Sequence, residues 1–228
     1  MSGVGTAAGG RSTVSERSSV LEHHFRDLEQ QRDASTLGMW IFLATEVMFF
    51  GVLFMGYTAY RVVYYESFAE GSHHLKLLLG SINTTVLLSS SLTMALAIHE
   101  AQLGRHRALV GFLLVTMLLG AVFLAIKALE YYYEYEEHLV PGLNFAFGGP
   151  NPGHVEIFFI VYFFMTGLHA FHLTVGIGLV AGIAFLAWRG RYTSEYHTPV
   201  ELTGLYWHFV DVIWVFLFPL LYLIDLYR

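Results

Sequence analysis

The sequence predicts an all-α, polytopic membrane protein: a bundle of five transmembrane helices with a cytoplasmic N-terminus and a periplasmic C-terminus. Three observations predict it. Only 13% of the 228 residues are charged and the mean hydropathy is +0.54, whereas a soluble domain carries about 25% charged residues. Five apolar runs each reach the ~20 residues that cross a hydrocarbon core. Arginine and lysine are distributed unevenly over the segments that join those runs.

The runs cover residues 36–63, 77–100, 108–134, 155–188 and 200–226. Charge or turn signals bound each one: Arg61 to Lys76, Gly104-Arg105-His106-Arg107, Pro141 to Gly153, and Arg189-Gly190-Arg191 up to Pro199. The stretch from Pro141 to Gly153 is the richest in breakers, with three prolines and four glycines. There is no convincing internal repeat, and no second domain is expected. Residues 1–35 read as a polar cytoplasmic tail, disordered or lying on the surface, and residues 36–228 as the transmembrane domain. The tail holds no short apolar core followed by a small-residue cleavage site, so no cleaved signal peptide is expected.

With the N-terminus inside, the inner segments hold eight arginines (Arg11, Arg17, Arg26, Arg32, Arg105, Arg107, Arg189 and Arg191). The outer ones hold only Arg61, Lys76 and Arg228. Positive charge is retained on the cytoplasmic side, which sets the orientation. At about 1.5 Å per residue, Glu46, His208 and Asp211 then lie about 12–17 Å deep, close to the midplane. His169 and His172 fall in the middle of the fourth helix, and Lys127 and Glu130 near the outer end of the third.

Composition excludes several functions. A net charge of −6 without a basic stripe argues against a nucleic-acid partner. The chain has no cysteine, which removes disulfides, zinc–thiolate sites, iron–sulfur clusters and covalent c-type haem. No Ser-His-Asp arrangement, Walker loop, dinucleotide fingerprint or zinc-peptidase motif is present.

What remains are polar groups at membrane depth. Each costs roughly 2.5–3.5 kcal/mol on insertion scales and so marks a packed polar site. Glu46, within Leu43-Ala44-Thr45-Glu46-Val47-Met48-Phe49-Phe50, is either a proton-responsive group or a protonated acid bonded to a partner helix. His169 and His172 lie three apart and, with Thr166, are expected on one helix face. Together with His208 they offer imidazoles for a b-type haem or a metal, or else for interhelical hydrogen bonds and lipid headgroups. Asn83-Thr84-Thr85 and Ser89-Ser90-Ser91 suit close helix packing, as do Gly176-Ile177-Gly178 and Gly182. Lys127 and Glu130 can pair at spacing i, i+3, ahead of Tyr131-Tyr132-Tyr133, as an anchored helix end or a headgroup site. His208 and Asp211 sit about one turn apart in the last helix, bracketed by Trp207 and Trp214.

Taken in order, these segments resemble subunit III of the haem–copper respiratory oxidases, the cytochrome c oxidase subunit 3 family, in its five-helix form. Five blocks carry the resemblance: Leu37-Gly38 through Glu46 with Phe49-Phe50; Asn83-Thr84 through Ser89-Ser90; Lys127 with Glu130-Tyr131; Thr166-Gly167 with His169 and His172; and Glu201 with Tyr206-Trp207-His208-Phe209-Val210-Asp211 and Trp214. The resemblance implies a subunit with no redox centre of its own, whose haem and copper belong to a partner, subunit I. It implies packing against subunit I, with subunit II and other respiratory-complex subunits nearby, and bound phospholipid. It also implies support of proton uptake and protection of the catalytic subunit during turnover. Glu46 matches the family's buried glutamate with a suspected proton-related part. His169, His172, Trp207, His208 and Asp211 match positions that tie helices together or lie near lipid, and Asn83, Lys127 and Glu130 are read with them as buried polar groups, Lys127 standing where many longer members have a neutral polar residue. The expected place is a bacterial inner membrane.

Two other readings stand beside it. One is an accessory subunit of a bacterial nitric-oxide reductase, which shares the fold and the final Trp-His block. The other is an independent haem-b electron carrier built on His169, His172 and His208.

Overall fold

The computed structural model describes residues 28–192 and 196–223. Among them, regular structure is helical throughout: α1 (Leu28–Val63), α2 (Tyr65–His73), α3 (Leu77–Gln102), α4 (His106–Glu136), α5 (Pro152–Trp188) and α6 (Thr198–Tyr222). All but α2 are long and apolar enough to cross a membrane, which is the five-span all-α architecture expected. Residues 1–27 of the expected tail lie outside the described residues, as do Arg11, Arg17, Arg26 and Arg228. From Leu28 the chain is already helical, eight residues before the apolar run, because Leu28-Glu29-Gln30-Gln31-Arg32 is made of good helix formers.

The chain divides between Thr45 and Glu46 into two units. In the first, the described residues are the opening turns of α1, where Ser35 Oγ donates to the Gln31 carbonyl at 2.8 Å and Thr45 Oγ1 to that of Phe42 at 2.7 Å. The second, Glu46–Arg228, holds the rest of α1 and the five helices that follow.

Within that second unit the breaks fall where the turn residues stand. α3 ends at Gly104 (φ 69°) and α5 at Gly190 (φ 73°), both left-handed. There the amides of Arg105 and Arg191 reach back to Glu100 and Leu186, closing the helix ends as glycine caps do. Pro152 and Pro199 open α5 and α6, where a missing N–H costs nothing.

The stretch from Arg61 to Lys76, expected as a connection, instead carries α2. Nine residues are too few to hold a helix alone; tertiary packing holds this one. Phe68 is fully buried, with ring centroids 5.5 Å from Tyr57 and 5.4 Å from Phe158. Ser72 Oγ donates to the Leu221 carbonyl at 2.9 Å.

α3 packs on α4 and α6, α5 packs on the same two, and α2 lies over α5 and α6. Trp207 of α6 sits where α4 is thinnest, since a Cβ on Gly120 would stand 2.8 Å from the indole. Of the α5 glycines expected as packing notches, only Gly176 is one, lying against Tyr206 and Trp207. Gly178 and Gly182 meet nothing within 4 Å. The core mixes apolar and polar groups: Leu87, Met94, Phe123, Phe158 and Trp214 with Asn83, Ser90, Thr116, Lys127, Glu130, Glu134, Thr166, His169 and Asp211. Leu78, Leu92, Leu118, Phe164, Phe171 and Phe216 point outward. Polar groups inside and apolar groups outside is the arrangement that hydrocarbon surroundings select.

Candidate functional site

Glu46 and His172 meet. The Nε2 of His172 lies 3.2 Å from Glu46 Oε2, and its Nδ1 lies 2.9 Å from the Leu168 carbonyl. A carbonyl only accepts, so Nδ1 carries a proton and donates it. A hydrogen bond between Nε2 and the Glu46 carboxyl then needs one further proton, on either the acid or the imidazole. The Phe50 ring stands edge-on to the imidazole at 5.2 Å, and Tyr206 donates to the His172 carbonyl at 3.0 Å.

His169 goes elsewhere. It is buried between Phe123 and Trp214, at ring distances of 5.6 and 5.3 Å, and neither ring nitrogen has a hydrogen-bond partner among the described residues. The expectation that His169, His172 and Thr166 share one face is therefore corrected for His172, whereas Thr166 and His169 both turn toward α4. Three residues fall about 60° short of a full turn, enough to send His172 to α1 and His169 to α4 and α6. Thr166 pairs with the Tyr131 hydroxyl at 2.7 Å.

His208 Nδ1 lies 2.8 Å from Ser91 Oγ, and the neighbouring Trp207 donates from Nε1 to Ser90 Oγ at 3.1 Å. Trp214 does the same to Thr84 Oγ1 at 3.0 Å, and Thr93 pairs with Thr116 of α4 at 2.8 Å. The small polar side chains of α3 thus bond across helices, as expected of Thr84, Ser90 and Ser91. Thr85 and Ser89 turn outward and donate to carbonyls one turn back in their own helix, those of Ser81 and Thr85. Asp211 and Asn83 are buried without a hydrogen-bond partner among the described residues, Asp211 having Ser91 as its near neighbour.

Lys127 and Glu130 do not form an exposed helix end. Both are buried, and α4 runs on for nine residues past Lys127 to Glu136. Lys127 Nζ donates to Glu130 Oε2 at 3.0 Å, to the Tyr162 hydroxyl at 2.9 Å and to that of Tyr222 at 2.6 Å. Tyr222 donates in turn to Glu130 Oε1 at 2.5 Å. The rings of Tyr131, Tyr162, Trp214 and Tyr222 surround the ammonium at 5.4, 4.8, 5.3 and 5.3 Å, within the range of cation–π attraction. Of Tyr131-Tyr132-Tyr133, the last two are exposed, as is Tyr135. Sequence reasoning passed over Glu134, Tyr162 and Tyr222. For Glu134 the signal was there: Lys127, Glu130 and Glu134 stand at i, i+3 and i+7, one stripe of one helix.

Among the described residues no three His, Asp or Glu side chains are gathered so as to hold a metal ion. His169, His172 and His208 face Phe123 and Trp214, Glu46, and Ser91 respectively, so the ligand set imagined for a haem-b carrier does not converge.

The family model described as Cytochrome c oxidase subunit III matches residues 11–225. The chain is 33% identical to the cytochrome c oxidase subunit 3 of Thermostichus vulcanus, over 84% of this chain and 88% of that one. It is 31% identical to the quinol oxidase subunit 3 of Bacillus subtilis (strain 168), over 83% and 87%. The same identity holds with the cytochrome bo(3) ubiquinol oxidase subunit 3 of Pseudomonas putida, over 83% and 86%. A match that spans all five apolar helices, with relatives of comparable length, decides the matter: this chain belongs to the cytochrome c oxidase subunit III family.

Proposed function

We propose that the chain is the non-redox third subunit of a proton-pumping haem–copper terminal oxidase in a bacterial inner membrane. The complex takes electrons from cytochrome c or quinol and reduces oxygen, and its haem and copper sit in subunit I. This chain packs against subunit I, with subunit II and other respiratory subunits around it, holds phospholipid, steadies the catalytic subunit during turnover and supports proton uptake. Its N-terminus, with the polar tail 1–35, faces the cytoplasm and its C-terminus the periplasm, in keeping with the arginine bias.

One observation carries the proton-related part: the Glu46 carboxyl against His172 Nε2 at 3.2 Å, with Nδ1 already committed to a carbonyl. Such a pair passes one proton between two atoms with no other rearrangement. Asn83, Lys127, Glu130, His169, Trp207, His208 and Asp211 take the structural part, tying α3 to α6 together around the polar core or lying near lipid.

Glu46→Gln in the assembled oxidase tests this. The expected result is a complex that assembles but takes up protons more slowly and inactivates after fewer turnovers. Unchanged uptake, lifetime and assembly would remove Glu46 from any functional role. Oxidase names among the relatives favour this reading over a nitric-oxide-reductase accessory subunit. Copurification with oxidase subunits I and II, rather than with reductase subunits, is the direct check.

A further inference from the structure

The Lys127 cluster sets one ammonium against two carboxyls, Glu130 and Glu134, all three buried. The ammonium has three protons, and Glu130, Tyr162 and Tyr222 take all of them. Glu130 accepts at both oxygens, from Lys127 on one and from the Tyr222 hydroxyl on the other. Both of its oxygens are satisfied. Glu134, one turn further along the same stripe, is 2% exposed, and neither of its oxygens has a hydrogen-bond partner among the described residues.

The groups that act on Glu134 through space are Lys127, Glu130 and Glu137 of α4 and the Tyr162 hydroxyl of α5. Tyr131 of α4 and Tyr222 of α6 complete the surroundings. None can balance a second negative charge. Lys127 is committed to Glu130, two of the others are acids themselves, and the Tyr162 hydroxyl can offer at most one neutral hydrogen bond. A carboxyl buried without a partner takes up a proton rather than remain charged.

We propose that Glu134 is a proton-binding site: its carboxyl carries one exchangeable proton, reached from the water at the Glu136 end of α4, which makes the buried cluster electroneutral. The carboxylate oxygen accepts the proton from a hydronium ion, which leaves as water; nothing else changes covalently. The path is short. Glu134 stands two residues from the end of its helix, and the next pair out, Lys76 with Glu137 at 2.6 Å, is open to solvent. The site is independent of the Glu46–His172 pair, and its test does not depend on that pair's role.

Infrared spectra of the membrane complex carrying the full chain, recorded in H2O and D2O, read the site directly. Glu134→Gln exchanges a neutral acid for a neutral amide of nearly the same shape. The variant is expected to assemble and to lose one deuterium-sensitive C=O band of a protonated carboxyl per chain. Glu130→Gln supplies an independent arm. It leaves Glu134 as the sole carboxyl facing Lys127, which then ionises, so the same band disappears although Glu134 is intact. A carboxyl region unchanged in Glu134→Gln overturns the proposal, as does failure of that variant to assemble. Persistence of the band in Glu130→Gln overturns it too.

Discussion

The indole of Trp207 occupies the space that any side chain at Gly120 would need: a Cβ there would stand 2.8 Å from its ring. The same ring donates to Ser90 at 3.1 Å, so one residue joins α6 to α4 by fit and to α3 by a hydrogen bond. Hydrocarbon gives helices little reason to associate beyond close packing and such bonds.

Gly120→Ala should push the indole aside, strain the bond to Ser90 and destabilise the chain by about 1–3 kcal/mol, the usual range for overpacking. Thermal unfolding in detergent measures it. Gly178→Ala, at a glycine with nothing within 4 Å, is the control and should leave the transition unmoved.

Removing Lys127 from the buried Lys127–Glu130 pair leaves Glu130 uncompensated. Lys127→Met is expected to cost about 3–5 kcal/mol. The double variant Lys127→Met with Glu130→Gln should recover much of that loss, because no bare charge stays inside. Recovery of assembled complex from membranes reports both, and a double variant worse than the single one contradicts the account.

The bond from Trp214 Nε1 to Thr84 Oγ1, 3.0 Å long, is one of several that tie α6 to α3. A double-mutant cycle of Trp214→Phe and Thr84→Val should give a coupling of about 0.6 kcal/mol and no more than about 1.7, the span found for interhelical bonds in membranes. A coupling indistinguishable from zero means that the bond contributes nothing.

Tyr192 lies in the connection between α5 and α6, outside the spans. Burial pushes its hydroxyl up to about 12 from 10.0, with Tyr196 adding to the rise and Arg191 opposing it. The unfolded phenol loses its proton from pH 10.0 upward while the folded one keeps it to about 12, so the folded state binds more protons in that window. Stability therefore falls as pH rises through the window, and below it Tyr192 has no effect on the pH dependence. Denaturation midpoints measured across the window should drop less steeply in Tyr192→Phe.

The sequence alone determined the number of spans, their limits to within a few residues at most ends, and the family. All of these rest on one-dimensional signals: runs of apolar residues, Gly and Pro at the breaks, and an ordered set of motifs. It also marked Glu46, Lys127, Glu130 and Asp211 as groups that need shelter, since charge in oil is costly wherever it points. Which neighbour shelters which was decided only in three dimensions. Lipid is as apolar as a helix interface, so a spanning helix has no polar face to mark its outside, and nothing in the sequence told the side of α5 toward α1 from the side toward α4. Hence His169 and His172 parted company, Glu134 went unnoticed, and Lys127 proved to be enclosed by tyrosines from helices 35 and 95 residues away in the chain. The short helix α2 escaped for a related reason: its stability comes from the two helices it lies on, not from its own residues.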